Sequence, residues 1–394
     1  MHALRIVQDL IRSRCPQIHA ARLRVILAAV SAAIRSRRLV LTELGRALLG
    51  AAQVKHNIKR IDRLLGNPHL PAERFALYQA LAQRLVGRNR EPLVVIDWSD
   101  LTADRRWQLL RAALPVGGRC LTLYEEIHPL RRFTHRAVHR AFLARLKALL
   151  PEGVRPVLIT DAGFHVPWFK AVNRLGWHWI GRIRGRDYLR HESSQAWVGC
   201  KTLYAQARPQ AQHLGRHELV RSNPIACNLF LVKRPKQHRI RKSIFGAPVR
   251  CHQSLKQAQA QREPWLLAVS PLLTHLNAEQ IVAAYAQRMQ IEEAFRDLKC
   301  VRYGLGFSLN LSRSPERLAV LLLIALFSFF ALWLIGSHAL AHAMQYRYQS
   351  NTRRTRPVLS IFNLACQLVR HTADRILASD ARLFFLPPPP RHAI

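Results

Sequence analysis

Four polar residues, Tyr285, Arg288, Glu292 and Lys299, recur along a segment with helical periodicity, and two isolated aspartates, Asp97 and Asp161, each close an apolar run of strand type. Two aspartates and a glutamate form a hard-oxygen donor set suited to divalent cations. Two Mg²⁺ ions about 4 Å apart can serve phosphoryl transfer, one activating a water or hydroxyl and the other stabilising the leaving oxygen. Guanidinium, ammonium and phenol groups beside such a site hold phosphate oxygens. A strand-ending Asp by itself often only caps a turn. The conjunction of three acids with three phosphate-type side chains is what points to phosphoryl chemistry.

Local structure has to bring these groups together. Ala278 to Lys299 predicts one amphipathic helix starting after Asn277. At about 100° per residue, Ile281, Ala284, Ile291, Phe295 and Leu298 gather on one side. Tyr285, Arg288, Glu292, Arg296 and Lys299 form the adjoining stripe. Glu292 flanks the apolar face and Glu293 points away, which selects Glu292 as the third acid.

The aspartates sit in a different pattern. Leu93 to Asp97, Trp107 to Leu114 and Cys120 to Ile127 predict three antiparallel strands with tight connections. A helix over His135 to Leu150, a strand over Pro156 to Asp161, a helix over Val166 to Leu175 and a strand over His178 to Ile183 follow. This order gives an α/β fold, with three antiparallel strands beside a parallel pair in a mixed sheet covered by helices. If the first and fourth strands are parallel neighbours, Asp97 and Asp161 meet at one sheet edge. Residues 187–264 are polar, basic and Gln-rich, and predict a β-rich insertion. Trp265 to Val269 returns to a core strand.

Residues 1–88 predict a helical domain, with helical apolar spacing through Arg22 to Ile34, Leu41 to Leu49 and Ile58 to Leu65. The third of these carries Lys59, Arg60 and Arg63, with Lys55 and His56 just before it, and is expected to form a DNA-contacting face. The catalytic domain is expected over 89–345. Residues 346–394 form a C-terminal segment for DNA contact or dimerisation.

Across 394 residues, 61 Lys+Arg against 23 Asp+Glu give a formal charge of +38 and a pI near 11.5, which points to a polyanionic partner such as nucleic acid. Seven scattered cysteines without a CxxC pair read as reduced thiols, and the start lacks a secretory pattern, so a cytoplasmic location is expected. Leu318 to Ile335 carries no charge and is long enough to span a bilayer. Following directly on a polar helix, it reads as the buried helix of a large α/β domain, and no membrane partner is expected.

The spacing Y-x2-R-x3-E-x6-K resembles the signature of insertion-sequence transposases of family four, in the DDE class. The runs VVIDWSD and LITDAGF resemble the regions bearing that family's first two acidic residues. The resemblance covers nearly the whole chain. It implies a ribonuclease-H-like fold in which Asp97, Asp161 and Glu292 bind two Mg²⁺ ions, which Mn²⁺ can replace. It implies that Tyr285 and Arg288 hold a phosphate near the transposon end, that Lys299 lies on the DNA backbone, and that Trp265 stacks on a flipped base. The implied reaction is cut-and-paste transposition: end nicking, hairpin formation and resolution, then strand transfer to target DNA. Its implied partners are double-stranded DNA, as terminal inverted repeats and target, and a second copy in the synaptic complex, in the bacterial nucleoid. A metal-dependent nuclease without strand transfer and a basic, non-enzymatic DNA-binding protein are the competing readings.

Overall fold

In a computed structural model, residues 2–185, 187–235, 263–353 and 355–372 are described. The chain packs as two compact units. The first holds residues 1–135, 144–154 and 289–393; the second is formed chiefly by 136–143 and 155–288.

The first unit begins with five helices, α1 (His2–Arg14), α2 (Ala20–Ser36), α3 (Leu41–Arg46), α4 (Val54–Leu65) and α5 (Leu70–Val86). Three strands follow, β1 (Leu93–Asp100), β2 (Trp107–Pro115) and β3 (Cys120–Pro129), antiparallel in the order β3-β2-β1. The helix α6 (Arg136–Leu149) has its second half here, and the unit is completed by α9 (Met289–Lys299), α10 (Pro315–Ala341) and α11 (Ile361–Thr372). The helical segment up to residue 88 therefore shares its core with β1–β3 and the C-terminal helices.

The centre of that core is α10. By length and composition it could cross a membrane, yet Leu318 through Phe327 are all buried, packed by α1, α2, α4, α5, α11 and β3. A helix that is apolar on every side needs such a sheath on every side. The Ser314 hydroxyl caps it by accepting from the Arg317 N–H, and Pro315 opens its first turn. At its far end, Ala339 packs on Leu364 and Leu368 of α11, so the described part of the C-terminal segment is docked on this helix. Residues 373–394 lie outside the described residues.

The second unit carries β4 (Val157–Thr160), α7 (Val166–Arg174), β5 (His178–Ile183), β6 (Tyr188–His191), β7 (Val198–Gly199), β8 (Gln212–Leu219), β9 (Ile225–Val232), β10 (Trp265–Val269) and α8 (Ala278–Ala286). Its strands run in the order β4-β5-β10-β9-β8-β6-β7. β4 and β5 are the expected parallel pair, joined through α7. The region expected as a β-rich insertion supplies β6 to β9, and these extend the sheet outward from β10. Most of the basic run Lys233 to Lys242 lies outside the described residues.

The single helix expected over Ala278 to Lys299 is two helices. The last turn of α8 tightens into i→i−3 bonds, Gln287 N–H to Ala284 O and Arg288 N–H to Tyr285 O, and α9 starts afresh at Met289. That break is also the boundary between the two units. Tyr285 and Arg288 thus belong to one unit, and Glu292 and Lys299 to the other.

Candidate active site

In the first unit the site is built on β1. Asp97 does not close this strand, because pairing continues three residues further, to Asp100. Its Oδ1 accepts from the Trp98 N–H at 2.8 Å. Asp97 stands opposite Arg111 of β2, and Arg111 stands opposite Glu125 of β3, so the three form one cross-strand row on one face. The middle of that row is a buried ion pair. Arg111 and Glu125 side chains are each 2% exposed, with contacts of 2.6 and 2.8 Å, and the Tyr78 hydroxyl of α5 donates to Glu125 at 2.8 Å.

The same face receives α9. The Arg111 guanidinium lies 5.0 Å from the centre of the Phe295 ring. At the end of β1, the Lys299 ammonium donates to Ser99 Oγ at 2.7 Å and to the Asp100 carbonyl. At its start, Gln290 accepts from the Gly118 N–H of the β2–β3 turn. The helix therefore lies along the face that carries Asp97, and Glu292, one turn before Phe295, lies in its first turn. Burial pushes the Lys299 ammonium down to about 8, Arg111 adding to the effect and Asp100 opposing it. The structure thus gives Lys299 a job inside the protein, tying α9 to β1.

Glu293 does not simply face away. It pairs with Arg296 at 2.8 Å and with Arg119 at 3.8 Å, and Arg119 also grips Asp297 at 2.6 Å. The wheel drawn through an unbroken helix missed this network and ordered the two glutamates the other way round: Glu293, expected to point away, is the less exposed and pairs with arginines, and Glu292 is the more exposed. Two further acids of this unit are also paired. Asp100 pairs with Arg105 at 3.2 Å, and Glu126 is held by Arg145, His128 and Tyr124.

In the second unit, Asp161 directly follows β4, and its Oδ1 accepts from the Gly163 N–H at 2.8 Å in a tight Asx turn. A Cβ at position 163 would come within 3.1 Å of that oxygen, so glycine lets the turn close. His165 sits at the N-cap of α7. The Trp265 indole, on the first residue of β10, meets the Tyr285 ring edge-on at 5.0 Å, and the Arg234 guanidinium lies 5.0 Å from its centre. Tyr285 is 3% exposed, whereas Trp265 keeps part of its surface open.

Sequence reasoning missed Arg182. On β5, its Nε and one terminal nitrogen are buried without a hydrogen-bond partner, and the Tyr204 hydroxyl nearby is in the same position. Burial lowers the Arg182 pKa, partly offset by Tyr285, and pushes Tyr204 up to about 12. An unpaired buried guanidinium is costly, and a phosphate oxygen is the natural acceptor for one. The signal was present in WIGRIR, where Arg182 and Arg184 share one face of an otherwise apolar strand.

In the N-terminal helices, Lys55, His56, Lys59, Arg60 and Arg63 are all exposed on α4, while Ile61, Leu64 and Leu65 are buried. The pair α3–α4 packs closely because position 45 is glycine. A Cβ there would fall 2.6 Å from the Ile58 Cα.

Carboxylate oxygens suit a divalent cation chemically. Among the described residues, no group of three or more His, Cys, Asp or Glu side chains is placed to hold one.

A family model for the transposase DDE domain matches residues 88–330. The chain belongs to the DDE transposase family. The transposase accordingly has the expected fold class, a ribonuclease-H-like mixed sheet with flanking helices, a β-rich extension and an N-terminal helical region. Among solved structures it is similar to a piggyBac transposase synaptic complex with hairpin DNA, at 10% identity and a TM-score of 0.43, over 92% of this chain and 74% of that one. No curated protein matches its sequence. The matched region of the transposase contains Asp97, Asp161, Glu292, Tyr285, Arg288, Lys299 and Trp265.

Proposed function

We propose that this transposase moves DNA by cut-and-paste transposition, as a member of insertion-sequence family four of the kind found in the tetracycline-resistance composite transposon. The observation that carries the reading is the family match over 88–330, which includes all three acidic residues and the whole Y-x2-R-x3-E-x6-K spacing.

Asp97, Asp161 and Glu292 would hold magnesium, as two ions, with manganese able to replace it. Bound there, the cation supplies charge stabilisation and an activated oxygen nucleophile. The protein's own groups do the rest. Arg182, Arg288 and Tyr285 grip a phosphate near the cut, and Trp265 offers an indole face to an unstacked base. The exposed cations of α4 hold the duplex. Lys299 keeps α9, and Glu292 on it, in register with β1. Water nicks one strand at each end, and the freed 3′-hydroxyl attacks the opposite strand to form a hairpin. Water reopens the hairpin, and the 3′-ends join the target. Two ends held together call for at least two copies of the chain, acting on the nucleoid in the bacterial cytoplasm.

The test is product analysis. Purified protein, a duplex carrying the inverted repeat that flanks the coding region, and a supercoiled plasmid should yield nicked, hairpin and plasmid-joined species in turn. Cleavage without a joined product would favour a nuclease, and no metal-dependent product at all would leave a DNA-binding protein.

Two substitutions probe the DNA contacts. Trp265→Ala should leave first-strand nicking near the wild-type rate and reduce hairpin yield about tenfold, in line with the stacking energy of one base. Equal loss of both steps would mean that Trp265 only fills the core. Lys59→Ala with Arg60→Ala should weaken end binding and lower the log–log salt slope by about 2. An unchanged slope would remove α4 from the interface.

A further inference from the structure

Within the second unit, α7 and the first half of α6 line a cavity of about 390 Å³ that the acidic triad does not use. Arg136 and Arg140 stand one turn apart on α6, and Lys170 and Arg174 one turn apart on α7, so each helix contributes a cationic pair. No carboxylate lines the cavity. Among the described residues, none of the three arginines has a carboxylate partner. Like charges at this spacing repel, and an anion is what would relieve them.

The cavity also has a built floor. Trp168 and His139 line it at 1% and 7% exposure, and both pack on the Phe164 ring, at 4.8 and 5.2 Å. The buried Trp168 indole N–H has no acceptor. Lys170 is steered by one bond, to Asn223 Oδ1 at 2.6 Å, which leaves its remaining protons available. Guanidinium forks over a rigid aromatic floor recognise an oxygen-rich anion with charge-assisted hydrogen bonds.

We propose that this cavity binds backbone phosphates of duplex DNA. The inference rests on the transposase reading, and that reading offers two sources of the same chemistry, the transposon-end duplex and the target duplex. The variant Arg140→Gln with Arg174→Gln should lower the slope of log affinity against log salt by about 2 on the duplex that the cavity holds. Arg140→Lys with Arg174→Lys should keep the wild-type slope.

Binding is measured first on the end duplex, then on an unrelated duplex presented to the preformed end complex. A lowered slope on the first identifies the end as occupant, and a lowered slope on the second identifies the target. Unchanged slopes on both overturn the proposal. Should the double variant disturb α6 or α7, Arg136→Gln alone, exposed at the start of α6, should lower the slope by about 1, and an unchanged slope there counts equally against it. Wild-type cleavage in Mg²⁺ is assayed separately. Its absence would defeat the transposase reading, while the slopes would still judge the cavity.

Discussion

Asp97→Ala, Asp161→Ala and Glu292→Ala should each slow cleavage of a transposon-end duplex by at least a hundredfold, while end binding changes less than about twofold. Even residues that only orient metal ligands cost about 10–100-fold when removed, so loss of a ligand should cost no less. Binding should survive because, on the proposed reading, it rests mainly on cations such as those of α4, and Lys and Arg far outnumber the three acids. Glu293→Ala is the internal control. Its carboxylate serves Arg119 and Arg296, and a half-exposed pair of that kind contributes at most about 1 kcal/mol to stability. Its cleavage rate should stay within a few-fold of wild type. A Glu293 variant as inactive as the Glu292 variant would exchange the two assignments.

The largest loss of stability is expected from Arg111→Leu. Removing the guanidinium leaves the Glu125 carboxylate buried with Tyr78 as its remaining donor, and breaking a buried pair on one side costs about 3–5 kcal/mol. It also removes the cation that lies over Phe295, through which α9 rests on the Asp97 face. The midpoint of urea unfolding should fall accordingly. The double variant Arg111→Leu with Glu125→Leu removes both charges of the pair and should recover most of the loss. A single variant as stable as wild type would show that the row Asp97–Arg111–Glu125 does not hold this face together.

Much of the sheet was legible because strands such as β1, β4 and β10 are short apolar runs closed by turn residues. The apolar run ending at Thr160, the crossover helix after it and the run from His178 were enough to call for the parallel pair β4–β5. The break at Gln287–Arg288 was not legible. Apolar residues keep helical spacing on both sides of it, and a turn closed by two i→i−3 bonds leaves no mark in periodicity. For the same reason the choice of Glu292 now rests on α9 alone, where Phe295 and Lys299 face β1 and β2 and Glu293 meets Arg119. Arg182 was passed over because WHWIGRIR reads as a core strand, although its two arginines, Arg182 and Arg184, fall on one face of it. The run Leu318 to Ile335 posed the reverse difficulty. Composition cannot separate a membrane span from a sheathed helix, and only the packing of five helices and β3 around α10 does so.

The central claim, metal-dependent phosphoryl transfer by Asp97, Asp161 and Glu292, is tested most directly by single-turnover cleavage of a labelled end duplex, resolved on a denaturing gel with Mg²⁺ and with chelator. The predicted result is a nick carrying a 3′-hydroxyl that forms only with the metal and only with all three carboxylates present. Cleavage that persists in chelator, or in the Glu292→Ala protein at the wild-type rate, would contradict it.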